Sequence, residues 1–299
     1  MQVRNIFRTP AKMVLRLKNL IFCTFPAVLF FSVFGCEKPA VPEKTVFRAV
    51  SLAPNLTEII VASGGLTNLV GRSAACDYPP EVKGIPVAGN FGVPFIETIL
   101  TLKPDIVLDS ELERPEIRRI LRQAGIRSRQ FRTEHPDDIP KTMREIGTLL
   151  SCSEQANREA AALEAFFSGC RKETGGLEYK QKVLAIVWNE PLMTIGKRSF
   201  LTETLALAGG TSIGAIQKRP YYRFSVEWAV RENPDLVLFM TPPDEKTLAS
   251  LKIIQAVRDG RYAVIRNMDA LSRPGPRIRE GILELQEHLS RNYPSVKSR

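Results

Sequence analysis

Histidine is almost missing from this chain of 299 residues: His135 and His288 are the only two. A transition-metal site built on several imidazoles needs more than two, brought close together. A Ser-His-Asp hydrolase needs a histidine set beside its nucleophile. Here His135 abuts Pro136 in a predicted loop and His288 falls on a predicted last helix. No GxSxG elbow, glycine-rich phosphate loop or HExxH run occurs either. Enzyme readings have nothing to rest on, so no catalytic residue, metal ligand or resident cofactor is assigned.

Cysteine is scarce and odd in number. Of the five, Cys23 and Cys36 lie near the N-terminus, leaving Cys76, Cys152 and Cys170. A helix predicted between the last two would hold them about 25 Å apart, whereas a disulfide needs Cα atoms within about 7 Å. Free thiols are expected, not a disulfide framework. Long basic runs are also lacking. The formal charge is +10, but Arg4, Arg8, Lys12, Arg16 and Lys18 share the first 35 residues with no acid, so half of the excess belongs there. The rest is spread along the sequence, and a nucleic-acid footprint wants a clustered basic face. No nucleic-acid partner is expected.

One apolar run stands out. Residues 20–35 are uncharged, follow the basic segment and end at Cys36. That order is a secretory signal peptide, and the run falls short of the roughly 20 residues a transmembrane helix needs. Val33-Phe34-Gly35-Cys36 resembles a bacterial lipobox, which implies lipidation of Cys36, although Phe34 replaces the small residue usual there. An uncleaved N-terminal anchor is the alternative. Both place the folded part outside the cytoplasmic membrane and tethered to it. Residues 37–45, rich in Pro, Lys and Glu, read as a flexible tether.

What the chain does contain is a doubled plan. Glu97 through Leu108 is echoed by Glu227 through Leu238, with a Pro-Asp pair at the same distance from each glutamate, Pro104-Asp105 and Pro234-Asp235. Leu56-Thr57-Glu58 with Gly64-Gly65 is likewise echoed by Leu201-Thr202-Glu203 with Gly209-Gly210. Hydrophobic content of 44% and charged content of 25% suit a soluble globular protein, and the length allows two cores of about 100–130 residues each. Two lobes imply a cleft, where small-molecule sites concentrate.

The predicted elements agree. Strands at 47–52, 69–71, 85–88, 105–108 and 128–131 alternate with helices at 56–63, 96–102 and 116–123, the first helix following a turn at Ala53-Pro54-Asn55. The second half repeats the pattern. It has strands at 183–188, 235–240 and 262–266, and helices ending at Ala208 and spanning 226–232, 245–257 and 278–291. Alternation of this kind means α/β lobes with mostly parallel sheets. Between them, 139–150 and 153–172 read as helices, the second opened by a capping box at Ser151-Cys152-Ser153-Glu154 and ended by Gly175-Gly176. It would be a strut about 30 Å long. The expected segments are a signal peptide at 1–35, tether at 36–45, N-terminal lobe at 46–136, helical linker at 137–176 and C-terminal lobe at 177–299.

Glu97 and Glu227 begin helices in matching places. Either alone is explained by an acid in a helix's first turn, worth about 0.3–1 kcal/mol. Together they also offer one acid per lobe on a common rim, able to orient a partner bearing two basic patches. Aromatics at predicted loops form a second cluster: Tyr78, Phe91, Trp188, Tyr221 and Tyr222. A core role is the equal alternative for Tyr78 and Trp188, and hard to defend for Phe91 within Gly89-Asn90-Phe91-Gly92. Flat rings on both lobes would grip a broad, partly apolar ligand. Arg273-Pro274-Gly275-Pro276-Arg277 reads as a helix-entry turn whose arginines meet amide, phosphate or carboxylate groups.

The segment Arg48-Ala49-Val50-Ser51-Leu52-Ala53-Pro54-Asn55-Leu56-Thr57-Glu58, with Cys76-Asp77-Tyr78-Pro79, the two Glu…Pro-Asp units, Ala208-Gly209-Gly210 and the 273–277 turn, resembles ABC-transporter substrate-binding proteins with a helical backbone. The resemblance is to their cobalamin-binding branch and covers about residues 46–290. It implies two Rossmann-like lobes joined by a single long α-helix, a corrinoid in the cleft, and a permease and ATPase as partners of a monomer. It places Phe91 and Tyr221 against the corrin and Asp269, Ala270, Leu271, Ser272 and Arg273 on a ligand-contacting loop. It puts Ala75 near the ligand and gives Glu97 and Glu227 to permease docking; Tyr78 and Trp188 are ligand candidates from the aromatic cluster. Ala75 stands where a ligand tyrosine occurs and Ala270 where a tryptophan occurs, which thins the aromatic cage. The same architecture loaded with haem or an iron siderophore is the nearest alternative. A metal-cofactor enzyme or chelatase on a similar fold, and a sensor lipoprotein without a permease, are the others.

Overall fold

Each Glu…Pro-Asp unit folds into the same short structure. The computed structural model describes residues 46–91, 93–110 and 115–291. In it the helices over Ile96–Leu102 and Val226–Glu232 each end on a left-handed residue, Lys103 at φ 46° and Asn233 at φ 49°, and the proline that follows stops the helix. The two aspartates then do the same work. The Asp105 carboxylate accepts the Arg48 N–H at 2.7 Å, and Asp235 accepts the Lys182 N–H at 2.7 Å. Both carboxylates thereby pin the first strand of a lobe to the strand that the repeat introduces.

The N-terminal lobe runs β1 (Ala49–Ser51), α1 (Pro54–Ala62), β2 (Leu69–Ser73), β3 (Val87–Asn90), β4 (Val93–Pro94), α2 (Ile96–Leu102), β5 (Ile106–Asp109), α3 (Pro115–Gln123) and β6 (Arg127–Gln130). Its sheet has the order β4-β3-β2-β1-β5-β6, parallel except for β4 at the edge. Two helices follow, α4 (Asp138–Leu149) and α5 (Ser153–Gly175). The C-terminal lobe runs β7 (Gln181–Asn189), β8 (Leu192–Ile195), α6 (Phe200–Leu207), β9 (Gly210–Ser212), β10 (Tyr221–Arg223), α7 (Val226–Glu232), β11 (Leu236–Phe239), α8 (Glu245–Leu251), α9 (Gln255–Arg258), β12 (Tyr262–Val264), α10 (Met268–Ser272) and α11 (Ile278–Arg291). Its sheet has the order β10-β8-β7-β11-β12, with β9 beside the first half of β7. Strand β8 pairs antiparallel with both β7 and β10, and the other pairings are parallel.

Central strands bury both faces, as covered parallel strands do. Val50, Leu52 and Val107 join Ile99 and Leu121 in a cluster under α2 and α3. Leu184, Ile186, Val237 and Phe239 pack with Ala229 and Ile254 under α7–α9. The alternate residues Ala49, Leu108, Val183 and Leu238 face a third cluster, which runs through Met143, Leu163, Phe167, Leu205 and Leu285. This inner core belongs to both lobes, so the expectation of one separate core per lobe is corrected. The cause is α5. Ala156, Ala160, Leu163, Phe167, Cys170 and Thr174 recur every three or four residues as a buried stripe, and the helix touches both α1 and α6. At 23 residues it spans about 34 Å. It packs closely on α4: a Cβ added at Gly147 would lie 2.2 Å from the Ala156 Cβ.

Local expectations are corrected in four places. Pro54 is not in a turn but opens α1, where its missing N–H costs nothing. The capping box does not form: Ser151 is left-handed at φ 60°, and Cys152 caps α5 without a side-chain hydrogen bond. The helix expected over 245–257 breaks in two, which seats Ile254 in the core and leaves Ile253 64% exposed. Trp188, Tyr221 and Tyr222 are not in loops but on β7 and β10, whereas Phe91 does sit in a turn, between β3 and β4. Cys76, Cys152 and Cys170 are free thiols. No helix among the described residues is long and apolar enough to cross a membrane. The signal segment, Cys23, the lipobox with Cys36 and the tether all lie outside the described residues.

Candidate functional site

In an open parallel sheet, ligands collect beyond the carboxyl ends of the strands, where strand order reverses. The N-terminal lobe has that reversal between β1 and β5. The residues that follow its strands line a cleft of about 570 Å³: Pro54 and Asn55 after β1, Ala75 after β2, Phe91 after β3, Ser110 after β5, and the stretch 131–134 after β6. Ser272, Arg273 and Pro274 close this half from the C-terminal lobe. The cleft continues past Glu134 into a second half of about 410 Å³, walled by Arg198, Ser199, Phe200, Pro220 and Tyr221. Glu134 lines both halves and is the only carboxylate in either wall among the described residues.

The two exposed rings hold corresponding places. Phe91, 47% exposed, sits at the hairpin that ends the N-terminal sheet, and Tyr221, 44% exposed, on the edge strand of the other sheet. Side chains alternate across a strand, so the neighbour Tyr222 turns inward. Its hydroxyl donates to the Gly214 carbonyl at 3.0 Å, and its ring meets Trp228 edge-on. Burial pushes the Tyr222 phenol above its ordinary pKa.

The structure gathers Ala75, Phe91, Tyr221, Ser272 and Arg273 at this cleft but not the other expected ligand residues. Ala270 and Leu271 are fully buried in the short helix α10, so no ligand in the cleft can touch them. That placement corrects the contact loop expected there. Asp269 on the same helix faces Arg273, its carboxylate 3.0 Å from the guanidinium. Tyr78 lines a separate cavity of about 360 Å³ with Met143 and Leu163, its ring 4.0 Å beneath the Arg277 guanidinium. Trp188 is 56% exposed, donates its indole N–H to the Glu190 carbonyl at 2.6 Å and lines neither half of the cleft. Glu97 and Glu227 are both exposed in the first turns of α2 and α7. Backbone and Ser225 hydrogen bonds hold the Glu227 carboxyl below its ordinary pKa.

Several important residues escape sequence reasoning. Glu58 of α1 is 2% exposed, and its carboxylate receives Arg277 through Nε at 2.9 Å and Nη2 at 2.6 Å, with Arg273 at 3.5 Å. Arg273 also reaches Asp77 at 2.6 Å. Burial opposes the charge on Arg273, but Asp77, Asp269 and Glu58 outweigh it and raise its pKa; Asp77 is lowered chiefly by the same hydrogen bond. Glu58 and Glu203 are repeat partners, and both cross between lobes, since Glu203 meets His135 Nδ1 at 2.7 Å. The 145-residue offset is the one signal that flagged them. Arg72, buried, donates to four carbonyls, those of Ser73, Cys76, Val82 and Lys83, and so shapes the loop carrying Ala75 and Asp77. No cluster of three or more His, Cys, Asp or Glu able to hold a metal ion occurs among the described residues.

Twin α/β lobes, a helical connector and a cleft at the strand ends define a binding protein of the two-lobed type. The chain belongs to the periplasmic binding protein family, whose model matches residues 50–271. Among its relatives, the vitamin B12-binding protein of Pectobacterium carotovorum is 28% identical over 255 residues, 84% of this chain and 91% of that one. The vitamin B12-binding protein of Vibrio parahaemolyticus is 25% identical over 280 residues, 92% of this chain and 97% of that one. The fold matches the periplasmic vitamin B12-binding protein BtuF of Vibrio cholerae with a TM-score of 0.69 at 24% identity, covering 82% of this chain and 97% of that one. It equally matches the periplasmic haem-binding protein HutB of Vibrio cholerae, with a TM-score of 0.72 at 20% identity over 84% and 100% of the chains.

Proposed function

We propose that this protein captures a corrinoid, cobalamin or a close relative, outside the cytoplasmic membrane and delivers it to the permease and ATPase of an ABC importer, without catalysis. The observation that carries this reading is the cleft at the strand ends with one exposed ring from each lobe, Phe91 and Tyr221. Opposed aromatic faces suit a broad flat guest, and the relatives named above bear the name vitamin B12-binding protein. Lipidation at Cys36 would hold the protein at the membrane, and Glu97 and Glu227 would meet the permease. An inner core common to both lobes favours delivery with little change of lobe angle.

Haem is the second reading, favoured by the fold match to a haem-binding protein. Titration calorimetry of the purified protein against cyanocobalamin, cobinamide, haem and ferric siderophores separates the two. Corrinoid binding at micromolar levels or tighter is expected, and its absence would end the corrinoid reading.

A further inference from the structure

The basic residues that look dispersed in sequence are gathered by the fold onto one lip of the cleft. Lys197 and Arg198 follow β8, and Lys218, Arg219 and Arg223 surround Tyr221. All five are exposed. Two backbone hydrogen bonds hold these segments side by side: Gly196 N–H donates to Pro220 O at 2.8 Å, and Lys197 N–H to Gln217 O at 2.7 Å. The approach is so close that a Cβ at Gly196 would stand 2.0 Å from the Arg219 carbonyl oxygen. Tyr221 and Arg223, two apart on β10, share the strand face opposite the inward Tyr222. Arg198 and Tyr221 together line the second half of the cleft.

None of the five cations has a carboxylate partner among the described residues. Elsewhere Arg144, Arg171, Arg273 and Arg277 each have a carboxylate oxygen within 2.7 Å. Five like charges on two adjoining segments repel one another and build a positive field over the cleft. The ends of two helices add to it. Helix α6 begins at Ser199 and Phe200 in the cleft wall, and α1 begins at Pro54 and Asn55 with no acid in its first turn. Helix N-termini carry partial positive charge. Among the described lining residues the one opposing carboxylate is Glu134; Glu203 in the first turn of α6 is engaged by His135.

The geometry points to a guest with an oxyanion on its rim: the ring lies between Phe91 and Tyr221, and a peripheral carboxylate or phosphate rests on the lip formed by Arg198 and Arg223. This inference rests on the reading of the cleft as the site of a flat chelate. It adds that recognition depends on the acid group as well as on the ring.

The test compares ligands that share a ring and differ in the acid. Cobyrinic acid bears carboxylates, cobalamin a phosphodiester, and cobinamide neither; haem is set against its dimethyl ester. One charge-assisted contact predicts that acid-bearing forms bind about tenfold more tightly than neutral ones, with the difference shrinking as salt rises. The double variant Arg198→Gln/Arg223→Gln should remove the preference, and Arg198→Lys/Arg223→Lys should keep it. A preference for cobyrinic acid locates the carboxylate as the recognised group, and one for cobalamin over cobinamide the phosphate. Equal binding of acid and neutral forms, or a preference that survives the Gln variant, overturns the inference while leaving the corrinoid reading intact. So does a Gln variant that binds every ligand normally and loses only uptake, which would assign the lip to the permease. Selective binding of haem over its ester with no corrinoid bound overturns the corrinoid reading and supports the inference. No binding by any ring compound overturns both.

Discussion

Replacing Glu58 by Ala should be the most damaging single charge deletion between the lobes. The Glu58 side chain is 1% exposed, and Arg277 and Arg273, at 11% and 17%, keep their charge when it goes. Removing one partner of a buried ion pair costs about 3–5 kcal/mol, because the remaining charge stays buried without its counter-ion. Arg273 retains Asp77 and Asp269, so the loss falls mainly on Arg277 and sits near the lower figure. Each kcal/mol is worth about 2–4 °C in a protein of this size, and Glu58→Ala should melt roughly 10 °C below the parent. Its repeat partner supplies the control. Glu203 and His135 are about half exposed, and an exposed pair contributes about 0–1 kcal/mol. Replacing both buried partners, as in Glu58→Met/Arg277→Met, should recover most of the loss, since an apolar pair leaves no orphaned charge. Urea unfolding of the four proteins measures all of this. A Glu58→Ala protein no weaker than Glu203→Ala, or a double variant less stable than Glu58→Ala, would refute the assignment of this pair as the tie between lobes.

Other outcomes follow from the same geometry. Gly147→Ala forces a methyl against Ala156 at the α4–α5 crossing and should cost about 1–3 kcal/mol in denaturant unfolding, partly restored by Ala156→Gly. The Glu284 carboxyl is 7% exposed; burial alone would raise its pKa, but hydrogen bonds from the Arg266 and Asn267 N–H groups and from the Arg266 side chain hold it below the ordinary 4.5. Its contribution to stability is therefore present above pH 4.5 and lost as pH falls through the lowered value. Glu284→Gln should flatten that acid limb in melting curves taken against pH. His135 has the opposite sign: Glu203 raises its pKa above 6.5, so the pair stabilises below pH 6.5 and fades as pH climbs through the raised value. Reversing Glu97 and Glu227 to Lys should abolish uptake by cells while ligand affinity in calorimetry stays unchanged.

Sequence reasoning reached furthest where local signals agreed. Helices α2, α7 and α11 are read to the residue; α2 and α7 each end on a left-handed residue followed by proline, and α11 follows the proline-rich turn at 273–277. Strands β4, β8, β9 and β10 escaped, since two to four residues carry no measurable alternation. In the site, Phe91 stood out because glycine and asparagine flank it, an unlikely setting for a core ring. Tyr78 was grouped with the ligand aromatics because its partner, the Arg277 guanidinium, lies in the other lobe; Arg273 does line the cleft, but its pairing with Asp77 across 196 positions is beyond local signals. Ala270 and Leu271 read alike as loop or helix core, and only packing against α11 and its neighbours decides the matter. The cationic lip was invisible because about twenty residues separate its two halves.

The central claim is that a flat guest enters the cleft between the lobes and is held by a ring from each. Titrating cyanocobalamin into the parent protein, Phe91→Ala, Tyr221→Ala and the double variant tests it most directly. Each ring removed should weaken one-to-one binding by about tenfold, the worth of one well-packed aromatic contact, with melting temperature unchanged because both side chains are exposed. Undiminished affinity in the double variant would contradict the account.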